Sequence, residues 1–134
     1  MSDYKFSIPI QPRYADFDML GHLNNANYVT YYEVARLHYF YDLGWTLKDI
    51  SNVVAHFDID FLAPVVPKSK VVCSIKTISL GTKSFQMQYE LNSEDGTTCF
   101  SRAHSVQVCI DRHNGKAILI PADIRELLTK YDGL

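Results

Sequence analysis

Between Asn25 and Leu43 the chain places Tyr28, Tyr32, Ala35, Tyr39 and Leu43 at spacings of three and four, the repeat of an α-helix. Gly44 stands where that helix is expected to end. The opposite face carries Val29, Val34, Leu37 and Phe40, and between Ala26 and Tyr41 the only charge-bearing or imidazole side chains are Glu33, Arg36 and His38. A helix that is apolar nearly all round is expected to be buried nearly all round. The rest of the chain must therefore supply a layer that wraps it.

That layer reads as sheet. In "AHFDIDF", Ala55, Phe57, Ile59 and Phe61 alternate with His56, Asp58 and Asp60; in "FQMQYEL", Phe85, Met87, Tyr89 and Leu91 alternate with Gln86, Gln88 and Glu90. Period-two alternation marks half-buried antiparallel strands. Turn residues at Pro64, Pro67, Gly81, 94–96 ("EDG") and 112–115 ("RHNG") separate further strand segments at 70–80, 83–92, 97–110 and the short "AILI" of 117–120. Residues 5–13 read as a strand whose Pro9 and Pro12 suit an edge or an irregular end. "PADIRELLTKY" closes the chain as a short helix with Pro121 in its first turn. No repeat or linker intervenes, so residues 1–134 are expected to form one α+β domain, a curved antiparallel sheet around one long central helix.

Thirteen basic against fifteen acidic residues leave a formal charge of −2, without the basic field that nucleic-acid binding needs. The opening "MSDYKFSIPI" lacks the basic and apolar regions of a signal peptide, and no apolar run is long enough for a bilayer. A cytoplasmic protein with no membrane span and no nucleic-acid partner is the expectation. Cys73, Cys99 and Cys109 are odd in number and lie in apolar segments, so they read as reduced packing residues.

The chemistry concentrates in "RYADFDMLGHLNNANY", residues 13–28, a polar loop that ends where the helix begins. Helix amino termini expose unpaired amides and partial positive charge, which polarise a carbonyl oxygen. A nearby carboxylate completes the equipment for acyl transfer. Asp18 and Asp16 both lie close enough, and their spacing from Gly21 does not separate them. Asn24 or Asn25 suits the helix cap. His22 reads as a substrate hydrogen-bonding group or a loop-orienting one, and Glu33 with Arg36 as an i, i+3 pair or a substrate contact. His38, His56, His104 and His113 show no metal-ligand spacing. Nucleophile-elbow, P-loop and dinucleotide motifs are absent.

With those residues in view, Asp18, Gly21, His22, Asn24, Asn25, Asn27 and Tyr28, followed by "YYEVAR", resemble the opening segment of hotdog-fold acyl-CoA thioesterases of the 4-hydroxybenzoyl-CoA thioesterase-like family. "FLAPV" at 61–65 and "VCIDRHNGKAILIP" at 108–121 extend the resemblance over nearly the whole chain. The resemblance implies a five- or six-stranded sheet and hydrolysis of an acyl-CoA thioester to a carboxylic acid and CoA, without metal or redox cofactor. Asp18 falls on the family's catalytic aspartate, as base or nucleophile, and Asn25 where a backbone amide faces the thioester oxygen. His22, Asn24 and Tyr28 fall around the pocket, with Glu33 as a helper. A homodimer or homotetramer with its active site at the subunit interface is implied as well. "VVPKSK" departs from the family's glycine and acidic residue after Pro64 and puts Lys68 or Lys70 near a phosphate. Two other readings remain: a non-catalytic acyl-CoA-binding module, and a hydratase or dehydratase, whose "DxNPxH" loop this chain does not match.

Overall fold

The chain runs as β1 (Phe6–Ile10), a single 3-10 turn (Tyr14–Asp16), α1 (Asn25–Leu43), β2 (Ile50–Phe61), β3 (Val71–Leu80), β4 (Ser84–Ser93), β5 (Cys99–Asp111) and α2 (Ala122–Asp132). This computed structural model describes residues 3–134; Met1 and Ser2, which open the amino-terminal stretch and the domain read above, lie outside the described residues. The five strands form one antiparallel sheet in the order β1-β3-β4-β5-β2. It is the α+β hotdog architecture, with α1 lying across the sheet's inner face.

Strand alternation places Val71, Cys73, Ile75 and Thr77 of β3, Phe85, Met87, Tyr89 and Leu91 of β4, and Ser101, Ala103, Ser105, Gln107 and Cys109 of β5 on that inner face, all buried. Against them lie Tyr28, Tyr31, Tyr32, Ala35, Tyr39, Phe40 and Leu43 of α1. A buried tyrosine must pair its hydroxyl, which explains the small hydroxyl residues on the strands. Tyr32 donates to Ser101 Oγ at 2.8 Å, Tyr39 pairs with Thr77 Oγ1 at 2.8 Å, and Tyr89 pairs with Ser105 Oγ at 2.6 Å. Tyr39 also donates to Asp132, so the same hydroxyl ties α2 to the core. The helix ends as its residues dictate: Asn24 Oδ1 accepts from Ala26 N at 3.0 Å, and Gly44 takes φ +100°, a conformation that suits glycine.

Three expectations need correction. The helix is covered on one side only: Val29, Val34, Leu37 and Tyr41 keep between 40% and 54% of their surface exposed. One sheet layer reaches one face of a helix, and nothing in this chain crosses the other. β2 is longer than its alternating part, and its Ala55 and Phe61 are exposed rather than half-buried. As the sheet's edge it has a neighbour on one side, and a register shift between Val54 and His56 sets Ala55 out of the ladder. "AILI" is not a strand. It meets β5 through one bridge, Ile110 with Ala117, and one amide bond from Ile118 to Cys109 O, and meets the turn between β3 and β4 through a bond from Ile120 to Thr82 O, each bond at 3.0 Å. β1 is an edge strand that stops before Pro12, as its prolines require. No helix among the described residues is long and apolar enough to cross a membrane.

The loop between β1 and α1 is pinned by Asp16, which is 1% exposed. Its Oδ1 accepts from Arg13 Nε and Nη2 at 3.1 and 2.9 Å, and its Oδ2 from Arg13 N at 3.0 Å and Tyr31 Oη at 2.6 Å. Its backbone oxygen takes Asn24 N and Asn27 Nδ2 at 2.9 and 3.0 Å. Burial alone would raise the carboxyl's pKa, but the bonds from Tyr31 and Arg13 outweigh it and hold the group below the ordinary carboxylate value.

Tyr31→Phe removes one bond to a buried charge and should cost about 1.5–3 kcal/mol, read as a lower urea midpoint at unchanged m-value. A depressed folded-state pKa contributes stability that is complete above the unfolded value of about 3.9 and is lost as pH falls through the folded one. Asp16→Asn should therefore be less stable at neutral pH and lose less on acidification below about pH 4 than the native protein, measured by urea midpoints across pH.

Candidate active site

From the Asp16 anchor the chain turns through Asp18–Gly21 and back to the start of α1. Asp18 N donates to His22 O at 2.8 Å and Gly21 N to Asp18 O at 3.0 Å, with Gly21 at φ +75°. Asp18 Oδ1 accepts from the amides of Leu20 and His22 at 2.9 and 3.1 Å. That oxygen is spent on the loop, and Oδ2 has no hydrogen-bond partner among the described residues. Leu23 N then donates to Val65 O at 2.8 Å, which fastens the loop to the connection between β2 and β3.

Asp18, His22, Leu23, Asn25 and Tyr28 line one face of a cleft of about 280 Å³, and Phe61, Leu62, Ala63 and Pro64 line the other. At the start of α1 the Asn24 side chain satisfies the amide of Ala26, and Asn24 O that of Asn27. The amide of Asn25 is left without an acceptor among the described residues. Tyr28 forms the floor, 3% exposed, with its ring edge-on to Phe61 at 4.9 Å between centroids. Burial pushes its phenol pKa up, only partly countered by a backbone hydrogen bond at Val65, so it stays neutral at ordinary pH. Asp18, with an unbonded carboxylate oxygen, and Asn25, with an unbonded helix-terminal amide, thus line one half-apolar space, an arrangement suited to a carbonyl carbon attacked from one side and polarised from the other.

Asp16 and Asp18, equivalent by spacing, differ completely in surroundings: Asp16 is buried and saturated with donors, Asp18 is exposed at the cleft. Asn24 is the cap, and its side chain is committed there. Glu33 does not join this group. It lies two turns further along α1 and lines a separate groove of about 390 Å³ with Thr30, Val34, Leu37, Leu47 and Asn52. It forms no ion pair with Arg36, whose guanidinium instead donates to Tyr89 Oη at 3.2 Å.

A second hollow of about 720 Å³ lies on the far side of Asp18, between Pro12, Tyr14, Met19, Pro67 and Lys68. Lys68 sits there at φ +72°, a conformation unfavourable for a side chain with a Cβ. Lys70 lines a neighbouring hollow with Pro9, Gln11 and Glu94. Sequence reasoning missed one constellation. His56 and His104, separated by 48 positions, both reach Asp58, and only strand register brings them together.

A family model described as the Thioesterase-like superfamily matches residues 12–128. The uncharacterized protein YsmA of Bacillus subtilis (strain 168) is 30% identical over 129 residues, covering 95% of this chain and 87% of the relative. The long-chain acyl-CoA thioesterase FadM of Escherichia coli (strain K12) is 28% identical over 123 residues, 89% of this chain and 93% of that one. The crystal structure of a thioesterase from Thermus thermophilus, complexed with coenzyme A and Zn, superposes with a TM-score of 0.88 at 28% identity, over 100% of this chain and 99% of that one. Alongside the sheet-wrapped helix and the cleft at its start, these matches establish that the chain belongs to the thioesterase-like superfamily of hotdog-fold thioester hydrolases.

Proposed function

We propose that the protein hydrolyses acyl-CoA thioesters to a free carboxylic acid and CoA at the cleft between Asp18 and Asn25. One observation carries the reading: Asp18, with a carboxylate oxygen free, and Asn25, with its amide free, line the same cleft, while the competing Asp16 has no oxygen to spare. Asp18 takes a proton from water as the water oxygen bonds to the thioester carbon, or bonds to that carbon itself to give an anhydride that water then opens. The carbonyl electron pair moves onto oxygen beside the Asn25 amide and the positive end of α1. Collapse breaks the C–S bond, and the proton passes to the CoA thiolate. His22 and Asn24 shape the rim through the loop and the cap, and Tyr28 supports the acyl carbon.

Relatives named as acyl-CoA thioesterases support a CoA ester as the substrate class. The hollow beside Lys68 lies next to Asp18 and offers a cation to the CoA phosphates. Three free cysteines agree with a reducing, cytoplasmic setting.

The uncovered face of α1 and the unpaired edge of β2, with Val53, Val54, Phe61 and Leu62 exposed, support a homodimer. An edge of twelve residues is a template for another strand. Phe61 and Leu62 also line the cleft, so a partner on that edge would complete the active site and bring a second wall to the Glu33 groove. Two such dimers would give a tetramer.

Thiol release from a panel of short, long and aromatic acyl-CoAs checks the reading. Asp18→Asn should reduce kcat by roughly 10²–10⁴-fold with acyl-CoA still bound; unchanged kcat, or release by neither protein, would contradict it and favour a binding module. Lys68→Ala should raise KM several-fold at nearly constant kcat, as expected for a contact made equally in ground and transition states. Leu37→Glu, which places a charge on the open helix face, should shift the sedimentation profile from dimer toward monomer and depress activity with it.

A further inference from the structure

We infer that His56, Asp58 and His104 form a binding site for a zinc-class divalent metal ion on the outer face of the sheet, separate from the thioester cleft. His56 and Asp58 are two apart on β2 and so point to the same side, while Asp58 and His104 are direct cross-strand partners. Phe57 and Ile59, the alternate residues of that strand, pack against the core, so the three side chains stand on the face turned away from α1. His56 Nε2 lies 2.9 Å from Asp58 Oδ2 and His104 Nδ1 lies 3.0 Å from the same oxygen. The three ligand atoms fall within 4.8 Å of one another.

The hydrogen-bond inventory at His104 is what points to a cation. Its Nε2 lies 2.9 Å from Gln86 Oε1, an atom with lone pairs only, so Nε2 carries the proton. Nδ1 then faces a carboxylate oxygen at 3.0 Å, a contact that is attractive when a cation stands at Nδ1, either a second ring proton or a metal ion. A metal ion supplies that charge, and the Nε2–H to Gln86 bond is the outer-shell contact that fixes tautomer and ring orientation in histidine-ligated sites. Ligand atoms around tetrahedral zinc are about 3.3 Å apart, given bonds of about 2.0–2.1 Å. The two histidine–aspartate pairs need open by only a few tenths of an ångström while the two imidazole nitrogens, within 4.8 Å of each other, draw together, and side-chain exposure of 60%, 58% and 32% leaves room for that and for water in a fourth position.

Two imidazoles and one carboxylate select zinc and its late-transition neighbours over magnesium or calcium, which prefer all-oxygen shells. Bound metal would clip β2 to β5. That strand pair holds the sheet edge on which the cleft residues Phe61 and Leu62 are carried. The inference stands independently of the hydrolase reading, because its readout is metal binding.

The test is calorimetric titration of untagged, chelator-stripped protein with zinc chloride, in parallel with magnesium chloride and with the variants His104→Ala, Asp58→Asn and His56→Gln. One zinc per chain should bind saturably and raise Tm, each variant should weaken binding at least tenfold, and magnesium should give no saturable heat. Circular dichroism of the metal-free variants establishes that they fold; His56→Gln, on the most exposed ligand, keeps the comparison open if another variant does not. No saturable zinc binding, or binding unchanged by the folded variants, would overturn the assignment. In that event the three side chains would be an imidazolium–carboxylate network.

Discussion

A single sheet layer covers one face of a helix, and most of this structure follows from that limit. The tyrosine-lined face of α1 is buried against β3, β4 and β5; the hydroxyls of its Tyr32 and Tyr39 find Ser101 and Thr77, and Tyr89 of β4 pairs with Ser105. The other face, with Val29, Val34, Leu37 and Tyr41, has no cover from its own chain. The buried face fixes where the helix starts, and so where its unpaired amide lies. The open face and the free edge of β2 define the surface on which a second copy would close the groove beside Glu33.

The two aspartates of the loop divide the work of that starting point. Asp16 is taken out of solvent and bonded on both oxygens, which holds the loop to Tyr31 and to the cap residue Asn24. Asp18 keeps one oxygen for the loop and leaves the other at the cleft. A carboxylate bonded on both oxygens has none left for a substrate. Pinning by the first is what allows the second to stay exposed and still be held in place.

Much of the fold was legible because it rests on local periodicity. The three-and-four spacing marked α1 from about Asn25 to Leu43, alternation marked β4, and turn residues bounded β3 and β5. Features that depend on partners in space were not. "AILI" has a strand's composition, yet it meets β5 by isolated bonds, and Ala55 reads as inward until the bulge sets it aside. Asp16 and Asp18 are indistinguishable by spacing, since the difference lies in contacts with Arg13 and with Tyr31, fifteen residues away. The convergence of His56 and His104 on Asp58 needs the register of β2 against β5, which no short window of sequence contains.

The most direct test of the proposed chemistry is a crystal structure of the protein with an acyl-CoA analogue whose thioester is replaced by a non-hydrolysable ketone. The expected result places the ketone oxygen within about 3 Å of the Asn25 amide, the geometry an oxyanion donor requires, with the Asp18 carboxylate beside the carbonyl carbon. A ketone seated away from both groups, in the Glu33 groove or elsewhere, would contradict the assignment of the reacting centre to the start of α1.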